Sequence, residues 1–177
     1  AASEAMMAVF LQQGNAPLLS AAHLQALSAV REAHDDTLNT AEQSEAFAAT
    51  LAQLSAPATS DATARDRVLR QGRELLTTVG NQSNLILDPD LDSYYVMSLV
   101  VLRFPELLQV VYDARRFVED QTRTGARVAA TASQESSRTA ELLTLAGRLE
   151  AVLRGVEADY GQAFVAGGPE LQQALRA

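Results

Sequence analysis

The stretch Asn81–Arg115, NQSNLILDPDLDSYYVMSLVVLRFPELLQVVYDAR, decides how the rest of the chain must be arranged. Pro89 has no amide hydrogen and its ring drives Asp88 out of the α region, so a helix arriving through Leu85, Ile86 and Leu87 has to end there. A second helix is expected to begin at once, with Asp88 as N-cap, Pro89 at the first helical position, and Asp90 and Asp92 at the positive end of the dipole. Wound at about 100° per residue, its apolar arc collects Tyr94, Val96, Met97, Val100, Val101, Phe104, Leu107, Leu108, Val111 and Tyr112, with Leu99 and Leu102 apolar outside it. An arc covering roughly half the circumference needs neighbours on several sides. Asp92, Arg103, Pro105 and Glu106 interrupt the run of about 20 apolar residues that a membrane span requires. The expected place for this helix is therefore the middle of a bundle, with a kink where the Pro105 ring removes an internal hydrogen bond.

Upstream, a short helix is expected within 1–14, stopped by Gly14 and Asn15. Over 18–54, His23, Leu27, Val30, His34, Leu38, Ala41, Ala48, Leu51 and Leu54 recur at threes and fours, which predicts one long amphipathic helix with a softer middle at Thr37–Ser44. Pro57 and the capping candidates Thr59, Ser60 and Asp61 separate it from a third helix over 61–87. The fourth spans 89–121. Residues 122–133, rich in Thr, Gly, Ala and Arg, fit a loop or a weak helix. Over 134–165, Leu142, Ala146, Leu149, Leu153, Val156 and Tyr160 form a heptad-like seam. Gly167, Gly168 and Pro169 end it, and 169–176 begins a terminal helical piece. The fold expected is all-α: one domain, 1–177, built as an antiparallel up-down four-helix bundle with short accessory helices at its ends.

Composition excludes several function classes. The chain has no Cys, and all fourteen of its Lys and Arg residues are Arg, so thiol nucleophiles, zinc–thiolate sites, Schiff-base lysines and a phosphate-loop lysine are absent together. A net charge of −8 and the lack of Trp argue against nucleic acid as a partner. His23 and His34 stand about 16 Å apart on one helix and cannot share a metal ion there, and no His-Glu-x-x-His or Glu-x-x-His pair occurs, so no metal or cofactor is expected. No nucleophile with its base can be assembled either, and the chain is not expected to be an enzyme. It opens on AASEAMMAVF without an initiator Met, which suggests a piece excised from something longer.

The runs NLILDPDLDSYYVM and VVLRFPELL resemble a pattern in the helical extracytoplasmic sensor regions of bacterial transmembrane receptors, the methyl-accepting chemotaxis proteins and sensor histidine kinases. The later run LAGRLEAVLRGVEADYGQAF, followed by GGPELQQAL, is similar to the downstream helix of the same regions. Together they cover roughly a third of the chain; the first fifty residues carry no such likeness. The resemblance implies a periplasmic, membrane-anchored ligand-sensing domain of the inner membrane that works as a homodimer. It names no signal.

Candidate site residues cluster on the central helix. Arg103, flanked by Leu99, Val100 and Leu107, either pairs locally with Glu106 or offers its planar fork to a small carboxylate or other anion in a cavity opened by Pro105. Tyr94 and Tyr95, about 100° apart on the helix, either lock the corner through their hydroxyls or line a polar pocket with Asn84 and Asp92. Asp66 to Arg70 and Arg70 to Glu74 have the spacing of helix ion pairs, so the arginine-rich stretch around them is expected as a solvated, self-paired face, with an anion or headgroup site as the alternative. The competing function class is a structural or interaction bundle that dimerises through the 142–160 seam and binds no small molecule.

Overall fold

The computed structural model describes residues 2–11, 21–54, 62–83, 90–125 and 131–176. These residues form seven helices and no strand: α1 (Ala2–Leu11), α2 (Ala21–Leu38), α3 (Ala41–Leu54), α4 (Ala62–Gln82), the continuous rod α5, α6 (Ala132–Ala166) and α7 (Pro169–Ala174). The rod α5 runs without interruption through an α segment (Leu91–Met97), a π segment (Ser98–Arg103) and a second α segment (Phe104–Gly125). Its α4-facing side and its α6-facing side are both covered, and α1 lies over the junction of α4 with the rod.

The hydrophobic core lies where α1, α3 and α4 meet. Met6, Phe47, Leu51, Val68 and Leu69 are fully buried there, and Leu27 of α2 and Tyr112 of the rod close the cluster. Gly72 makes this approach possible. A β-carbon on it would stand 2.6 Å from the Met6 thioether and 3.0 Å from the Phe47 ring.

Where the sequence predicts one helix over 18–54, the structure has two. Asn39 takes a left-handed conformation (φ 49°), which ends α2, and Thr40 and Ser44 turn their hydroxyls onto Asp35. Arg31 adds a hydrogen bond to the Ser44 hydroxyl at 3.0 Å. Thr40 and Ser44 are both buried, so this polar knot fixes the corner in place of continued helix.

The rod begins at Leu91, with Asp90 in the cap position and Asp92 in the first turn. Asp88 and Pro89, expected as cap and first helical residue, lie outside the described residues, as do Asn84 and 126–130. The expected proline kink takes another form. Phe104 donates its amide to the Leu99 carbonyl, five residues back, so the helix widens into a π-turn immediately before the buried Pro105. That extra residue re-phases the buried face: Val100 and Phe104, assigned to the core by a uniform wheel, are 47 % and 43 % exposed, whereas Leu99, Gln109 and Val110 are buried.

By length and composition the rod, Leu91–Arg123, is apolar enough to cross a membrane, despite the charges expected to disqualify it. Its polar groups nevertheless bind neighbouring helices: Arg103 reaches Asp159 of α6, and Gln109 reaches Asp66 of α4.

The long α6 starts from a capping box in which Thr131 and Gln134 satisfy each other's backbone amides. Its buried positions are Leu145, Val152, Asp159 and Ala163. The heptad seam read from the sequence lies mostly outside that face, with Leu142, Ala146, Leu153 and Tyr160 exposed and Leu149 and Val156 half-buried. The apolar count favours the seam, but contact with the rod selects the face that carries the partner of Arg103. Beyond Gly167, α7 folds back on the end of α6, where Arg176 stacks 5.0 Å above the Phe164 ring and Gln172 bonds the Phe164 and Gly167 carbonyls.

Candidate functional site

The π-turn assembles a charged joint between the rod and α6. Ser98 and Arg103 are five residues apart, a separation of about 140° on a regular α-helix, which would send their side chains to different faces. In a π-turn, residues five apart stack on one another. Both side chains accordingly converge on one oxygen, with Ser98 Oγ donating to Asp159 Oδ2 at 2.7 Å and Arg103 Nε donating to the same atom at 2.8 Å. The joint is partly sheltered, since the side chains of Asp159 and Arg103 are 12 % and 35 % exposed.

Gly155 sits one turn before Asp159 and provides the floor. A β-carbon there would lie 2.9 Å from the Arg103 guanidinium carbon, so the planar group rests on bare backbone. The hydrogen bond that Arg103 donates to Asp159 holds the Arg103 pKa above its ordinary value against the opposing effect of burial, and the charges of Asp159, Glu106 and Tyr94 add to it. Chemically, the arrangement pins a cation and a hydroxyl to one carboxylate. The Asp159 oxygen that receives Ser98 is also engaged by Arg103, which makes it a poor acceptor for a proton leaving a nucleophile.

The residues expected to share a pocket are placed as follows. Asp92 stands eleven residues before Arg103, roughly 16 Å along the axis, and accepts the neighbouring Ser93 amide at 2.8 Å. Tyr94 and Tyr95 are half-buried and meet edge to face, with ring centroids 5.3 Å apart and planes at 77°. Arg103 is thus brought to Asp159 and into the field of Tyr94 and Glu106, and it is not brought to Asp92. Asn84 lies outside the described residues, as does the His23 side chain, and His34 is exposed. Among the described residues, no three His, Cys, Asp or Glu side chains are gathered as a shared metal ion would require.

Sequence reasoning missed Ser98 and Asp159. The serine is the one polar residue in VMSLVVL, and Asp159 lies seven positions from Val152 and four from Ala163, a register that marks it as facing inward. Comparison with known proteins adds nothing to this geometry, since no family model, curated protein or solved structure matches the chain.

Proposed function

We propose that the chain is the extracytoplasmic input domain of a bacterial transmembrane receptor, a chemoreceptor or sensor histidine kinase, with α2–α3, α4, α5 and α6 as an antiparallel four-helix bundle. The single observation that carries this reading is the joint of Ser98 and Arg103 with Asp159. A π-turn in the N-terminal half of a long rod, tied to the adjacent long helix by one carboxylate, gives two neighbouring helices a preferred axial offset. A stimulus that favours another offset shifts the population of the pair, and the displacement runs along both rods. The Arg103 fork spends its Nε on an internal carboxylate, so the joint works as a coupling element and an external carboxylate at Arg103 would have to compete with Asp159. No chemistry is performed in this reading.

Alkaline phosphatase fused within this region of the full-length protein tests the compartment. Active enzyme on intact cells is expected, and silence there with an active cytoplasmic reporter at the same position contradicts the assignment.

A second reading has its own observation. The stripe of Leu142, Ala146, Leu153 and Tyr160 on α6 is exposed, with Leu153 42 % accessible, and it suits a dimerising interaction bundle. Sedimentation of the chain and of its Leu153→Glu variant distinguishes them: a dimer that the substitution dissolves, without any ligand response, favours the interaction bundle.

A further inference from the structure

The chain has no Cys and three methionines, Met6, Met7 and Met97, so a two-electron oxidant meets sulfur only as thioether. The three are not equally accessible. Met6 and Met97 are 0 % and 7 % exposed, whereas Met7, beside Met6 on α1, is 43 % exposed. An oxidant has to reach the sulfur, which ranks Met7 first.

The covered part of Met7 sits in a groove of about 240 Å³ between α1 and the rod, together with Met6 and with Val100, Phe104, Pro105, Leu107 and Leu108. None of these side chains can donate a hydrogen bond, and Pro105 lacks even the backbone N–H. Such a groove suits a thioether. It does not suit a sulfoxide, whose oxygen needs a donor or water.

This groove is where α1 meets the rod. The helix is ten residues long, short of the roughly 12–15 residues at which an isolated helix becomes even marginal in water, so packing keeps it folded. On its inward side Ala5 and Met6 are buried, with Met6 lying over Gly72. Met7 is the neighbouring contact, on the solvent side of the same helix, and it fastens the segment that covers Met6.

We propose that Met7 is an oxidation site, and that its sulfoxide loosens α1 from the rod and opens Met6 to a second oxidation. The oxidant is of the peroxide class. With hydrogen peroxide, a sulfur lone pair of Met7 attacks one peroxide oxygen and the O–O bond breaks as the S–O bond forms. The departing hydroxide takes the proton of the transferred hydroxyl and leaves as water, so sulfur loses the two electrons that the peroxide gains. The proposal does not rest on the receptor reading, because it concerns the chain in any compartment.

The test is timed treatment of the purified chain with hydrogen peroxide, with each sulfoxide located by fragment mass spectrometry. Met7 should oxidise first. The singly oxidised chain should melt about 3–6 °C below the reduced one, and methionine sulfoxide reductase should restore its Tm. Met7→Leu, which keeps the volume and the apolar surface, should leave Met6 oxidising at least about tenfold more slowly than it does next to the Met7 sulfoxide, since a buried sulfur reacts through local opening. Met7→Gln, a polar stand-in, should give the fast Met6 rate and the lowered Tm without oxidation at position 7. The proposal is overturned if Met6 or Met97 oxidises before Met7, if the singly oxidised chain melts with the reduced one, or if Met6 reacts equally fast in Met7→Leu and Met7→Gln.

Discussion

Asp159 on α6 and Arg103 on the rod lie 56 residues apart in sequence and meet at 2.8 Å, on the same carboxylate oxygen that Ser98 occupies. Removing the charge in Asp159→Asn leaves a part-buried guanidinium without its counter-ion. The pair is about a third exposed on the arginine side, so solvent screening keeps the loss below that of a fully buried pair. A loss of about 1–3 kcal/mol in urea unfolding is expected, against about 1 kcal/mol for Ser98→Ala. The double variant should lose less than the sum, because both substitutions act on one oxygen; strict additivity would mean the two bonds are independent.

Tyr112 predicts how the fold responds to alkali. Its pKa is raised by burial, opposed by the nearby Arg116. A folded-state pKa above the unfolded one means that the native state keeps a proton the unfolded chain releases. Its contribution is complete below about pH 10, the unfolded value, and is lost as pH rises through the folded value. Chemical denaturation between pH 8 and 11 should show this decline for the natural chain and a shallower one for Tyr112→Phe. Equal slopes would remove Tyr112 as the cause.

The contact between α1 and α4 depends on a missing side chain. Gly72→Ala places a methyl group 2.6 Å from the buried Met6 side chain and is expected to cost about 1–3 kcal/mol through overpacking. Met6→Ala alone opens a cavity and costs about 2–5 kcal/mol. Combined, the two should cost less than their sum, since the methyl then enters the vacated space. Thermal unfolding of the three variants checks the sign.

Much of the architecture was legible. A chain with helical periodicity throughout and a greasy helix after a Pro89 corner predicts an all-α fold, and the described residues are helical. The π-turn was not legible, because a wheel of constant pitch cannot anticipate an inserted residue and so mis-phases Val100 and Phe104. The break at Asn39 was only half visible: Leu38 and Ala41 keep helical spacing across it, and the polar knot at Asp35 emerges only when Ser44 is brought back in three dimensions. For the site, Arg103 was named from its own surroundings, but its partner could not be, since no local pattern links residue 103 to residue 159.

The break itself is testable. Asn39 holds a positive φ that a β-branched residue tolerates poorly, so Asn39→Val should lower stability by about 1–2 kcal/mol and Asn39→Gly should not. Urea unfolding of the two variants is the check, and an unaffected Asn39→Val would mean the corner does not need that conformation.

Hydrogen–deuterium exchange of the purified chain in water, without detergent, addresses the sheltered rod most directly. If α5 is the central helix, held by α4 on one side and by Asp159 on the other, amides from about Met97 to Tyr112 belong to the slowest class. In Asp159→Asn, the amides around Ser98–Phe104 and Gly155–Tyr160 should then speed up together. Rapid exchange along the rod in the natural chain, or loosening of one helix without the other in the variant, would contradict it.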